Sequence, residues 1–107
     1  MTRHVPQHQS EAELFRTLGH PVRIRVLEIL QDGPTPVRSL LAELGIEPSN
    51  LSQQLAVLRR AGLVQSAREG TTVTYELSTP DLEHLLLAGR RIVARPAAAS
   101  APVVVGG

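Results

Sequence analysis

Between Pro48 and Arg60 the chain reads PSNLSQQLAVLRR, a run dense in side chains that donate and accept hydrogen bonds. Ser49, Asn50, Ser52, Gln53 and Gln54 supply hydroxyls and carboxamides, Arg59 and Arg60 follow as permanent cations, and no carboxylate stands between Ser49 and Ser66. Such groups suit base edges: Gln and Asn pair bidentately with adenine, Ser contacts either base type, and Arg binds guanine or phosphate. At about 100° per residue, Ser49, Gln53, Ala56 and Arg60 align opposite a Leu51, Leu55, Leu58 stripe. Ser52 and Arg59 then flank that line on one side, Asn50 and Gln54 on the other. A solvated helix face more often carries Glu and Lys in i, i+4 pairs. Here the small Ala56 leaves room for close approach to a groove wall, and the helix N-terminus offers amides to a phosphate.

A second chemistry is metal ligation. His4 and His8 stand at i, i+4, Glu11 follows His8 at i+3, and Asp81 and His84 stand at i, i+3. Each pair can place two N/O ligands on one helical face, suited to nickel, zinc or cobalt. The plainer alternative puts His4 and His8 in a flexible arm, His84 in solvent and His20 at a helix junction. Catalysis has no such footing. The histidines and hydroxyls form no nucleophile-and-base motif, the carboxylates are scattered, and there is no Gly-rich phosphate loop.

These groups must be held by a small framework. The 107 residues fit one domain with a modest core, and 42% hydrophobic with 20% charged residues is ordinary for a globular chain. Net charge is only +1, although all eleven cations are arginine, so nucleic-acid binding must rest on local placement. Zero cysteines exclude disulfides and thiolate sites. Nothing resembles a signal peptide and no apolar run approaches the roughly 20 residues of a membrane span, which makes the cytoplasm the expected compartment.

Residues 1–9 read as an arm, and Ser10 with Glu13 forms a capping-box signature for a first helix carrying Leu14, Phe15 and Leu18 up to Gly19. Pro21 opens a second, in which Val22, Val26, Ile29 and Leu30 recur at i, i+4, i+7, i+8 with Ile24 and Leu27 beside them. Thr35 and Pro36 open a third, with Leu40, Leu41 and Leu44, closed by Gly45. Glu47 and Pro48 start the fourth, and Gly62 ends it. LVQSA, the turn REGT and TVTYEL then read as a hairpin. Its turn offers Arg68, Thr71 and Thr72 to the DNA backbone or minor groove, although Arg68 can equally pair with Glu69. Thr79 and Pro80 open a last helix whose Leu82, Leu85, Leu86, Ile92 and Val93 form an apolar stripe around Gly89. Residues 96–107 read as a disordered tail. The predicted class is mainly α with a small β-hairpin, one domain over residues 10–95, in the order of a winged helix-turn-helix.

The chain resembles the ArsR family of small bacterial transcription factors from about Glu11 to Arg95. LGHPVRIRVLEIL is similar to the family's opening helix pair, SNLSQQLAVLRRAGLV to its recognition helix and REGTTVTYEL to its wing. The resemblance implies a homodimeric repressor on a palindromic duplex DNA operator, its first and last helices pairing across a two-fold axis. The stripes of Leu14, Phe15, Leu18 and of Leu82, Leu86, Gly89, Val93 fit that interface, since both exceed what so small a core covers. Two departures stand out. PVRSL replaces the CVCDL of many metal-sensing members, so Val37, Arg38 and Ser39 abolish that thiolate site, and Thr71 stands where the wing often has a basic residue. Some relatives sense metals through His and Asp or Glu on the last helix. Here nothing after Arg90 completes such a site, leaving nickel or zinc at His4, His8, Asp81 and His84 as an expectation. A winged-helix protein-interaction module that does not read DNA is the alternative of a different class.

Overall fold

The computed structural model describes residues 5–95. His4 and the expected tail at 96–107 lie outside the described residues. Five helices and three short strands follow one another as α1 (Gln7–Leu18), α2 (Pro21–Leu30), β1 (Thr35–Pro36), α3 (Val37–Leu44), α4 (Pro48–Arg60), β2 (Val64–Glu69), β3 (Thr72–Leu77) and α5 (Asp81–Val93). This is the winged helix-turn-helix order, with α3 and α4 as the helix pair and β2–β3 as the wing.

Prolines and glycines set most boundaries. Pro21 and Pro48 sit in the first turns of α2 and α4, where a missing amide costs nothing. His20 caps α2, its Nδ1 accepting from the Val22 amide at 3.2 Å. Gly45 ends α3 at φ +63°, a left-handed cap that turns the chain abruptly into α4.

Three local expectations are corrected. Helix α1 begins at Gln7 rather than Ser10, which takes residues 7–9, His8 included, out of the arm. The Pro6 carbonyl accepts from the Gln9 and Ser10 amides, while no side chain caps the helix, so the capping box does not form. Thr35 does not cap α3 either. Its hydroxyl donates to the Gly33 carbonyl, and Thr35 and Pro36 pair with Tyr75 and Thr74 as a third strand. The sheet order β1-β3-β2 leaves β1 at an edge, where a proline without an amide is tolerated.

The core is built from leucines. Val26, Leu27, Leu40, Leu51 and Leu58 are fully buried, joined by Leu30, Leu55, Leu63, Val64, Tyr75, Leu82 and Leu86. Each such leucine contributes about 1.5–3 kcal/mol by leaving water. Because Leu51, Leu55 and Leu58 all come from one face of α4, that helix is fastened along its length and its opposite face is left outward. The wing is anchored at its root by Val64 and Tyr75, while β2 beyond Val64 is exposed.

Candidate nucleic-acid interface

The outward face of α4 carries Ser49, Ser52, Gln53, Arg59 and Arg60, all exposed. Asn50 is half-buried. Its first turn holds no acid, and the Glu47 side chain makes no capping bond. The N-terminal half of α4 borders a hollow of about 450 Å³ whose walls include Ser52, Arg38, Thr71 and Thr72. Helix α3, the recognition helix and the wing tip thus meet around one concave surface. Arg38, which in the sequence stands out only as a replacement of the thiolate site, adds a cation to this surface. Its position at the second residue of α3, one helix before the polar run, was the available signal. Arg60 sits at the other end of α4, roughly 16 Å along the axis from Ser49, beside Ser10, Glu13 and Arg16 of α1.

Gln54 is a correction. It is only 8% exposed, at the edge of the Leu51, Leu55, Leu58 stripe. The spacing carried the signal, because position 54 lies three after Leu51 and four before Leu58, within about 70° of the stripe's centre. A carboxamide is tolerated there because it is satisfied: Arg23 Nε donates to Gln54 Oε1 at 2.8 Å, and Gln54 Nε2 donates to Asn50 Oδ1 at 3.0 Å. Arg23 also donates to the Thr17 carbonyl at 3.1 Å, so one guanidinium on α2 braces both α1 and α4.

The wing turns at Gly70, whose φ of +62° is open to glycine at no steric cost, followed by Thr71. Arg68 and Glu69 are neighbours on a strand and point to opposite faces. Among the described residues the ion pairs are Arg25–Glu28 and Arg90–Glu28, so Arg68 is free of Glu69 and exposed at the wing.

On the other side of the molecule, α1 and α5 frame an apolar groove of about 590 Å³ lined by Phe15, Leu18, Leu85, Leu86, Gly89 and Val93. Phe15 is 59% exposed, Ile92 71% and Val93 86%. Three residues expected at a dimer contact lie deeper. Leu82 is 3% exposed and belongs to the core, while Leu18 and Leu86 are buried at the groove's floor. The apolar stripes of both helices are wider than the surface they leave free, because their inner edges are spent on the protomer itself.

His8, Asp81 and His84 are all exposed. Among the described residues no three His, Cys, Asp or Glu side chains gather where they could hold an ion. His4, the fourth residue of the nickel or zinc expectation, lies outside the described residues, so that expectation stays untested. Thr79 Oγ1 accepts from the Asp81 amide at 3.2 Å in the turn that leads into α5, whose N-cap is Pro80. No helix among the described residues is long and apolar enough to cross a membrane.

The family described as "Bacterial regulatory protein, arsR family" matches residues 20–66, which run from the α2 cap through α4 into β2. The HTH-type transcriptional regulator Rv0081 of Mycobacterium tuberculosis is 47% identical over 91 residues, spanning 84% of this chain and 80% of that protein. Its crystal structure is similar with a TM-score of 0.78 at 46% identity, covering 86% of this chain and 93% of that one. The transcriptional repressor BigR from Xylella fastidiosa gives a TM-score of 0.78 at 33% identity over 84% of this chain and 92% of its own. The biofilm growth-associated repressor of Agrobacterium fabrum is 39% identical over 85 residues, 79% of this chain and 73% of that protein.

Proposed function

The chain belongs to the ArsR family of bacterial regulatory proteins, and on that premise we propose that it represses transcription as a homodimer, with α4 in the major groove of a palindromic operator. It is a winged helix-turn-helix transcriptional regulator, and its chemistry is recognition rather than turnover. One observation carries the reading: the exposed face of α4 is polar, cationic at one end and free of carboxylates, on a helix whose other face is locked into the core. Ser49, Ser52 and Gln53 face base edges, with Asn50 at their border. Arg38, Arg59, Arg60, Arg68 and Thr71 face the phosphate backbone. The exposed apolar edge formed by Phe15, Ile92 and Val93 is covered by the same edge of a second copy, so that a two-fold axis matches the symmetry of the operator.

Gln53→Ala and Arg60→Ala separate the two kinds of contact. Loss of the carboxamide is expected to cost about 1–3 kcal/mol and to relax preference at one operator position. Loss of the guanidinium is expected to weaken all sequences alike and to lower the salt slope by about 1. Fluorescence-anisotropy titrations on operator and scrambled duplexes at several salt concentrations check both. Two variants that bind as the parent does, with no salt dependence, would remove the α4 face as the reading surface.

A further inference from the structure

Resting on the DNA-reading role of α4, we propose that Asn50 meets the operator as a hydrogen-bond donor, through its Nδ2 amide, and that Arg23 fixes this orientation from the interior through Gln54. A guanidinium has donors and no acceptor, so the only end of the Gln54 carboxamide that can face Arg23 is its oxygen. The Gln54 NH2 is thereby aimed at Asn50, and the only end of the Asn50 carboxamide that can receive it is again the oxygen. The Asn50 NH2 group is left with both donors free, on a half-buried residue in the first turn of α4, the end of a recognition helix that reaches base edges.

An isolated asparagine flips freely and reads donors or acceptors with equal ease. This one does not. Turning it over would set two NH2 groups against each other, and turning it away would strand the donor of a Gln54 that is 8% exposed. Flipping Gln54 as well would set its NH2 against Arg23, whose other bond, to the Thr17 carbonyl, holds the guanidinium in place. No buried side-chain nitrogen or oxygen among the described residues lacks a partner, so the chain of donors is closed at its inner end. One of the two lone pairs of Asn50 Oδ1 is thus taken by Gln54, which weakens the bidentate adenine pairing open to a free asparagine and leaves the NH2 as the group the network fixes for DNA. Its target is an acceptor: purine N7, guanine O6, thymine O4 or a phosphate oxygen. Arg23 is thus a positioning residue for specificity although it touches no DNA.

The test uses the full chain and its selected operator. Asn50→Asp keeps the oxygen that receives Gln54 and replaces the donor with a charged acceptor. It is expected to lose more than about tenfold in affinity, and more than Asn50→Ala, which removes the donor without adding charge. Arg23→Lys retains a donor and is expected to keep the parent's base preference. Arg23→Met removes it and is expected to relax preference at the one or two positions opposite Asn50. With side-chain 15N labelling, the Asn50 NH2 resonances should shift on operator binding. That shift should vanish with 7-deazapurine if the acceptor is a purine N7, with 2-aminopurine in place of guanine if it is O6, with a thymine analogue lacking O4 if it is O4, and with a methylphosphonate if it is a phosphate. The inference is overturned if Asn50→Asp loses no more than Asn50→Ala, if Arg23→Met keeps every preference of the parent, or if the NH2 resonances ignore the DNA. Those outcomes leave the Gln53→Ala and Arg60→Ala effects standing, whereas failure of the DNA-reading role abolishes these as well.

Discussion

A chain carrying both Phe15→Asp and Val93→Asp is expected to be monomeric at micromolar concentration and to bind its operator at least about a thousandfold more weakly than the parent. The two side chains are 59% and 86% exposed, so neither change opens the core and the monomer should still fold. Both lie along the groove between α1 and α5, where a second copy would desolvate them. A carboxylate buried there without a partner is strongly disfavoured, and a symmetric contact repeats each insult twice. The effect on DNA is larger than on any single contact because a dimer holds two half-sites at once. Specific complexes of this kind bind at about 10⁻⁸–10⁻¹¹ M, and a monomer forfeits the contribution of one half-site. Sedimentation velocity and an operator titration on the same sample read both consequences. A variant that stays dimeric would place the subunit contact elsewhere.

Ser52→Glu carries the next largest expectation, a loss of roughly 30- to 100-fold in operator affinity with the fold intact. Ser52 is exposed on α4 and shares its hollow with Arg38 and Thr71, at the meeting of the recognition helix, α3 and the wing. Setting a carboxylate there against phosphate or the electronegative groove edge costs a few kcal/mol, and each 1.4 kcal/mol is about tenfold. Exposed helix positions accept glutamate readily, so stability should move by no more than about 0.5 kcal/mol. Thermal melting beside the titration separates the two. Unchanged affinity in a stably folded Ser52→Glu protein would mean that this face of α4 does not meet DNA.

The helices were legible because their signals are local and repeated. Leu51, Leu55 and Leu58 recur at helical spacing, Pro21 and Pro48 open helices, and Gly45 and Gly62 close them. What was missed depended on partners distant in sequence. Strand β1 is two residues long and carries no period, and only the backbone of Tyr75 and Thr74 makes it a strand. Gln54 reads as one more carboxamide in a polar run until Arg23, thirty-one positions earlier, arrives to satisfy it. The first turn of α1 forms without the expected cap because the Pro6 carbonyl starts it. For Leu18, Leu82 and Leu86 the apolar stripe was correctly seen, but a stripe does not say where the protomer's own core ends and a free surface begins. The same limit holds for Arg38, whose type was visible and whose neighbours across the hollow were not.

The central claim is that α4 reads duplex DNA as one half of a symmetric pair. Selection of bound duplexes from a random-sequence pool by the full chain, followed by titration of the enriched sequence at 50 and 200 mM salt, tests it most directly. The account predicts an inverted repeat with half-site centres about one helical turn apart, near 34–36 Å. It also predicts binding that weakens by about 10³-fold or more between the two salts if six or more phosphates are contacted. A pool that yields no enriched sequence, or binding indifferent to salt, would contradict it.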